Sequence, residues 1–98
     1  MSRSYVYILQ CYDGTYYTGS TKYLKQRLRE HQDGEAVNYT RKRRPVVLVY
    51  YEVFNRIDEA FEREKQIQGW RRDKKVALIK GEQERLPELA KKVVKGNR

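Results

Sequence analysis

The chain has 98 residues, enough for one domain with a modest core and too few for two. Lys and Arg number 22 against 13 Asp and Glu, so the formal net charge is +9. A charge of that sign attracts phosphate backbones and makes nucleic acid the first partner to consider. Cys11 is the single cysteine, which excludes an internal disulfide and a cysteine-rich zinc site.

The chain contains no apolar run close to the roughly 18 residues that a membrane helix needs. Its first residues also lack the charged segment, apolar stretch and small-residue cleavage site of a signal peptide. We therefore expect a cytoplasmic protein with no membrane partner.

Three strands are predicted. Residues 5–11 are rich in Tyr, Val, Ile and Leu, which indicates a strand buried on both faces. Tyr12-Asp13-Gly14 has the composition of a turn, and residues 15–18 form a short second strand. Residues 46–54, after Pro45, are strongly β-forming and predict the third strand.

Helices are predicted around and after the third strand. The first covers residues 22–32 and ends at Asp33-Gly34, and a polar loop follows at 35–44. Asp58 is typical of an N-cap for a helix over 58–70. Further helices are expected over 72–80 and 86–95, the last with Pro87 in its first turn. We predict the order β-β-α-β-α-α, with a domain over 1–80 and a basic helical tail over 81–98.

The length of the first turn decides where two tyrosines point. In a two-residue loop at Asp13-Gly14, Tyr7 and Tyr17 face opposite sides of the sheet. In a three-residue loop with Gly14 left-handed, Tyr7 lies opposite Gly19 and shares a face with Tyr17. Asp-Gly is common in both loops, so the turn residues alone leave both open.

Polar residues also fall on the apolar faces of two predicted helices. Glu64 lies within a stripe formed by Ile57, Ala60, Phe61 and Ile67, where a carboxylate is costly unless it is paired or binds a cation. On the first helix, His31 lies within about 20° of Leu24, one turn after Arg27. An ion-paired glutamate, a core histidine and a surface arginine are the ordinary alternatives.

Together, inward-facing phenol, guanidinium, imidazole and carboxylate groups indicate phosphodiester cleavage. One group deprotonates the nucleophile, a cation balances charge on the phosphate, and a carboxylate can hold Mg²⁺.

The same residues give the chain a family resemblance. Tyr5-Val6-Tyr7 and Tyr17-Thr18-Gly19 place two tyrosines ten positions apart, which resembles the signature of the GIY-YIG nucleases. Arg27, His31 and Glu64, the last in EAFEREKQIQGW, continue the match in order and spacing. The resemblance covers residues 5–79 and is closest to small stand-alone members, which are relatives of the N-terminal nuclease domain of the repair excinuclease.

The resemblance implies an α+β fold, a three-stranded antiparallel sheet flanked by helices, with the active site on one face. It therefore favours the three-residue loop and explains Gly19 by close packing opposite Tyr7. By the same analogy, Glu64 would bind one divalent cation, Mg²⁺ or Mn²⁺, and Arg27 would stabilise charge at the scissile phosphate. Either Tyr7 or Tyr17 would activate water with help from His31, since a free phenol has a pKa near 10.

Two departures accompany the match. Tyr5 replaces the first glycine of the signature and Thr18 its second isoleucine, and neither replacement touches a catalytic group. Family enzymes also often carry a polar residue, commonly asparagine, about twelve positions after the glutamate. That stretch here reads Lys74-Lys75-Val76.

Two basic segments are further candidates for phosphate contacts. The loop around Tyr39 combines an aromatic ring with four successive cations, and its ordinary alternative is a solvated loop. A second group follows Trp70, which itself is expected to pack between helices. The predicted nucleic-acid-binding residues are Tyr39, Arg41, Lys42, Arg43, Arg44, Arg71, Arg72, Lys74 and Lys75.

These observations predict a metal-dependent endonuclease acting on DNA, with branched or damaged structure as its target, as in DNA repair. The chain shows no separate recognition domain, so shape recognition is expected rather than the reading of a long sequence. The alternatives are an idle module that binds DNA or RNA, and a nuclease subunit that needs a protein partner.

Overall fold

The computed structural model describes residues 3–81, which form a three-stranded antiparallel sheet with helices on both faces. Strand β1 (Ser4–Cys11) lies in the centre, between β2 (Tyr16–Thr21) and β3 (Val46–Phe54). Val6, Tyr7, Ile8 and Leu9 of β1 are all buried. The prediction of a central strand buried on both faces, in an α+β fold, is therefore confirmed.

The β1–β2 hairpin has a three-residue loop. Cys11 donates its N–H to the carbonyl of Thr15 at 2.8 Å, and Gly14 has a left-handed backbone with φ of 87°. Asp13 stabilises the turn because its carboxylate accepts bonds from the backbone N–H and the hydroxyl of Thr15. Tyr17 consequently pairs with Leu9, and the alternative two-residue loop is wrong.

Helix α1 (Leu24–Asp33) covers one face of the sheet. Its Leu24 and Leu28 pack against a buried cluster that includes Tyr7, Leu9 and Val46. The helix ends as predicted, at Gly34 with φ of 78°. It begins two residues later than predicted, since the Thr21 hydroxyl accepts the N–H of Tyr23 and holds this segment in a turn.

The segment predicted as an irregular loop contains a short helix, α2 (Asn38–Arg41). Four residues are too few to show helical periodicity in the sequence. Thr40 is fully buried within it, so α2 serves to bring this side chain to the interior.

Helix α3 (Ile57–Gln68) lies on the other face of the sheet, where its Arg63 forms a two-pronged pair with Glu52 of β3. Ala60 and Ile67 are buried, whereas Ile57 and Phe61 are exposed, so the predicted apolar stripe is only half right. Asp58 is not an N-cap, because the helix begins one residue before it.

The Asp58 carboxylate accepts two bonds from the Arg56 guanidinium, at 2.9 and 2.7 Å. This side-chain hydrogen bond lowers the pKa of Asp58 to about 2. Arg56 therefore binds the carboxylate that was predicted to cap the helix.

A separate compact unit begins at Gly69 and contains α4 (Arg72–Ile79), close to the predicted 72–80. The predicted helix over 86–95 lies outside the described residues. None of the helices over residues 3–81 has the length and apolarity that crossing a membrane would require.

Candidate active site

Tyr7 occupies the centre of the sheet, opposite Gly19 of the edge strand β2. Its side chain is buried, and its ring lies over the Gly19 backbone. A methyl group on Gly19 would come within 2.5 Å of the Tyr7 hydroxyl and 2.6 Å of Cζ. The missing side chain at Gly19 is therefore what lets the phenol lie flat on this face.

A chain of hydrogen bonds leads away from the Tyr7 hydroxyl. It lies 2.9 Å from Nε2 of His31, and Nδ1 of His31 lies 2.9 Å from the Thr40 hydroxyl. The Thr40 hydroxyl donates its single proton to the carbonyl of Val37 at 3.2 Å. Thr40 must then accept from Nδ1–H, which leaves Nε2 of a neutral imidazole free to accept the Tyr7 proton. We name this chain the Tyr7–His31–Thr40 relay.

His31 is fully buried, and its charge state follows from that. Burial lowers the pKa of His31 to about 4, and the positive charge of Arg27 contributes to the lowering. The imidazole is therefore neutral at pH 7, and one of its ring nitrogens is free to accept a hydrogen bond.

The two phenols are protonated for the same reason. Burial raises the pKa of Tyr7, the neighbouring Tyr17 adds to the rise, and Arg27 opposes it through its charge and a side-chain hydrogen bond. Burial followed by the charge of Glu64 raises the pKa of Tyr17, again against Arg27. A phenol in this environment can act as a base only if its own proton leaves at the same time, as the relay permits.

Arg27 borders the phenols at the surface. Its Nε lies 3.0 Å from a carboxylate oxygen of Glu30, one turn along α1, and its side chain is 41% exposed. A surface pair of this kind holds the guanidinium only weakly. Arg27 is thus close enough to act on Tyr7, Tyr17 and His31 and still open to an incoming anion.

Glu64 approaches from the other side of the sheet. The Ser20 hydroxyl donates to one carboxylate oxygen, and Gln68 Nε2 donates to the other at 2.8 Å. Ser20 follows Gly19 on β2, and successive strand residues face opposite sides. The carboxylate therefore reaches the site across the edge strand, which corrects the expectation of a site built on one face.

The environment of Glu64 also differs from a structural ion pair. Over residues 3–81, no Lys, Arg or His lies within salt-bridge distance of its carboxylate. Its partners are a hydroxyl and an amide, which orient the group without neutralising its charge. Among the described residues, the carboxylate is therefore hydrogen-bonded but paired with no cation.

Among the described residues, the groups around Glu64 suit a magnesium-type ion better than a metal held entirely by protein ligands. The described residues include no group of three or more His, Cys, Asp or Glu able to hold a metal. Mg²⁺ commonly binds proteins through one or two carboxylates and keeps several waters. Glu64, oriented by Ser20 and Gln68, would supply one such carboxylate if a metal ion binds here.

The predicted base-stacking residue Tyr39 forms part of the wall of the site. Its ring stacks on Tyr17 with centroids 6.0 Å apart, and the Arg43 guanidinium lies 3.9 Å from its centroid. Arg43 in turn pairs with Asp13 of the hairpin turn at 3.1 Å. Tyr39 thereby connects α2 to the Tyr17 side of the site.

The remaining predicted phosphate-binding residues are divided between two places. In the basic loop, Arg41 bonds the Asn38 side chain and Arg44 bonds two backbone carbonyls. Arg71, Arg72, Lys74 and Lys75 belong to the second unit, where Lys74 lies 4.7 Å from the Trp70 ring centroid. Nucleic-acid binding by both groups stays a prediction.

Comparison with known proteins identifies the family of this arrangement. The model of the GIY-YIG catalytic domain matches residues 3–77. The chain belongs to the GIY-YIG family. The matched region contains Tyr7, Tyr17, Arg27, His31 and Glu64.

Relatives of similar length share this GIY-YIG domain. The UPF0213 protein SSP2268 of Staphylococcus saprophyticus is 44% identical over 79 residues, 81% of this chain and 96% of that protein. A UPF0213 protein of Syntrophus aciditrophicus is 45% identical over 87 residues, 88% of this chain and 100% of that protein.

Two solved structures agree with the fold. The NMR structure of the UPF0213 protein BH0048 from Bacillus halodurans has a TM-score of 0.54 at 33% identity, covering 95% of this chain and 99% of that one. The protein EF2693 from E. faecalis gives 0.52 at 29% identity, covering 100% and 97%. These structures support the fold, and the family model over residues 3–77 places the chain in the GIY-YIG family of nuclease domains.

Sequence reasoning missed three residues of this GIY-YIG site: Ser20, Thr40 and Gln68. Gln68 follows Glu64 by four positions, the spacing of side-chain pairs on a helix, so it could have been found. Ser20 and Thr40 carried no such signal, because their roles depend on contacts across the fold.

Proposed function

We propose that this protein is a metal-dependent endonuclease that hydrolyses phosphodiester bonds in DNA. The observation that carries this proposal is the directional Tyr7–His31–Thr40 relay beside Arg27. The proton acceptor for Tyr7 is Nε2 of a neutral imidazole, and the phenol lies next to a partly exposed guanidinium. A base and an anion-stabilising cation are the two groups that phosphodiester hydrolysis needs most.

In the proposed reaction, a water molecule donates a hydrogen bond to the Tyr7 oxygen as its own oxygen attacks phosphorus. The water proton passes to Tyr7 while the Tyr7 proton passes to Nε2 of His31. Thr40 continues to accept from Nδ1–H, so the imidazolium that forms keeps both hydrogen bonds. The leaving oxygen takes a proton from solvent as its bond to phosphorus breaks.

Arg27 and Glu64 have complementary parts in this proposal. The guanidinium faces the negative charge that builds up on the phosphate oxygens. A divalent cation such as Mg²⁺ or Mn²⁺, bound through Glu64, would supply further stabilisation of that charge. Ser20 and Gln68 hold the carboxylate in a fixed orientation by donating to its two oxygens.

We propose DNA with a branched or damaged structure as the substrate. The cations of the basic loop are suited to backbone contacts, which position a nucleic acid without reading its sequence. With a net charge of +9, the protein attracts any DNA, so the selection of substrate falls to shape.

The test is cleavage of labelled single-stranded, duplex, flap and four-way-junction DNA with Mg²⁺ or Mn²⁺. Wild type should cleave at least one substrate, and Glu64→Ala and Glu64→Gln should lose cleavage while they still bind DNA. Glu62→Ala, which removes an exposed carboxylate from the same helix, is the control and should cleave normally. Binding by wild type without cleavage of any substrate, with either metal, contradicts the proposal and favours a binding module.

A further inference from the structure

A groove that takes no part in the catalytic arrangement lies beside α1, on its flank toward β3. It encloses about 730 Å³, and its floor includes Leu28 and Leu48. Most of the side chains that line it fall into two chemical types, phenols and cations: Tyr5, Tyr23 and Tyr51, and Lys22, Lys25 and Arg29.

The phenols of this groove are unusually open for large aromatic side chains. Tyr23 is 66% exposed and Tyr51 is 52% exposed. Tyr51 contacts Tyr5 edge to face, with ring centroids 6.1 Å apart and an angle of 64° between the planes. This contact orients the Tyr51 ring and leaves much of its surface to solvent. An exposed, oriented aromatic ring is a surface on which another flat ring can stack.

The cations of the groove have no partners of opposite charge among the residues that the structure describes. None of the described residues that line it is acidic. Within residues 3–81, Lys22, Lys25 and Arg29 take part in no ion pair. Lys25 and Arg29 are four positions apart on α1, a spacing at which like charges destabilise a helix. A polyanion in the groove would remove this repulsion.

The groove and the catalytic residues lie on opposite flanks of α1. At about 100° per residue, Lys25 and Arg29 each point about 160° away from Arg27 around the helix axis. A helix with its side chains is about 10–12 Å across. A polyanionic strand bound in the groove would therefore be a different part of the substrate from the part that is cut beside Arg27.

We propose that this groove binds a single-stranded segment of nucleic acid, with bases stacked on Tyr51 and Tyr23 and phosphates held by Lys22, Lys25 and Arg29. Exposed aromatic rings between cations are the usual means of binding single strands. A second copy of the chain fits less well, since a symmetric contact here would bring six positive charges together. This proposal rests on the proposed action on DNA. Under it, the groove holds one strand of the substrate while another strand is cut at the active site.

The test is the binding of a fluorescent oligothymidylate, followed by anisotropy without divalent metal so that nothing is cleaved. Tyr51→Ala should weaken binding on the order of tenfold, and Tyr51→Phe, which keeps the ring, should not. Lys25→Gln should lower the slope of log affinity against log salt by about 0.7, the value for one lost contact to a single strand.

Matched controls separate the groove from general charge. Tyr12→Ala removes a tyrosine at the hairpin turn that is even more exposed than Tyr51, and Lys65→Gln removes one positive charge from α3. Both should bind nearly as wild type. Equal losses in Lys65→Gln and Lys25→Gln, or unchanged binding by Tyr51→Ala, would overturn the proposal.

A concentration-dependent dimer in wild type that Tyr51→Ala abolishes, with DNA binding intact, would also overturn it and make this face an interface between copies. Binding is measured separately from cleavage, so either proposal can fail alone. An inactive wild type leaves the groove testable, and a groove without affinity leaves the Glu64 test unaffected.

Discussion

Thr40 shows how much a single buried hydroxyl can determine at the residue scale. Its proton goes to Val37, so its oxygen accepts from Nδ1–H of His31 and selects the tautomer that serves Tyr7. A different hydroxyl direction would reverse the imidazole, so that Nε2–H would donate to the Tyr7 oxygen and could no longer accept the Tyr7 proton. Thr40 is a positioning residue, because it acts on the reaction only through His31.

We expect Thr40→Val to lower the cleavage rate on the order of tenfold, since the imidazole loses its fixed tautomer. It should also lower the free energy of unfolding by about 1–3 kcal/mol, because Nδ1–H is left buried without an acceptor. Imidazole ¹⁵N chemical shifts should report a mixture of tautomers at His31. Thr40→Ser keeps the hydroxyl and should retain both the tautomer and the rate; a wild-type ¹⁵N pattern in Thr40→Val would refute this role.

At the scale of elements, the β1–β2 hairpin sets the geometry of the site. Its three-residue loop pairs Tyr7 with Gly19, and a change of one residue in the loop would turn one of the two tyrosines to the other face. The register therefore depends on Gly14 in the turn, and the packing depends on Gly19 in the strand.

Gly19→Ala should displace the Tyr7 ring, because the new methyl group would lie 2.5 Å from its hydroxyl. Urea unfolding should show a loss of about 1–3 kcal/mol, the usual cost of overpacking, and cleavage should fall with it. Tyr7→Leu shortens the side chain opposite. If the clash is the cause, Gly19→Ala should cost less stability in the Tyr7→Leu background than in wild type; equal costs would rule the clash out.

The elements also show which features the sequence could predict and which it could not. Tyr, Val and Ile in two strands and the Asp33-Gly34 helix end are local signals, and β3 was predicted at its observed limits. Helix α2 was missed because its four residues carry no local helical signal. Its position depends on the contact between Thr40 and His31 of α1, which the sequence does not reveal. Likewise, the stripe around Glu64 indicated an inward carboxylate and could not show that α3 lies on the face away from Tyr7.

At the scale of the whole molecule, the buried His31 couples stability to pH. The pKa of His31 in the folded state, about 4, lies below its ordinary value of 6.5, so folding favours the neutral ring. The resulting stabilisation is complete above pH 6.5 and is lost as the pH falls toward 4, by up to about 3 kcal/mol.

We therefore expect urea unfolding of the wild type to show stability falling between about pH 6.5 and 4.5, and His31→Gln to show little change in that window. The carboxyl groups with lowered pKa, Asp13, Glu30 and Asp58, lose their contribution only nearer to and below their ordinary values around 4. Parallel stability curves for the two proteins across the same range would contradict the assignment to His31.

Glu64 lies on α3, which packs on the face of the sheet opposite α1, and this position has a consequence for biosynthesis. The ribosome completes the hairpin, α1 and α2 before it reaches α3, so an emerging chain can form the Tyr7–His31–Thr40 relay before it contains the carboxylate. Under the proposed function, such a nascent chain is inert toward nucleic acid. Cleaving power arrives only when α3 docks, so a chain that is still being synthesised cannot cut DNA near the ribosome.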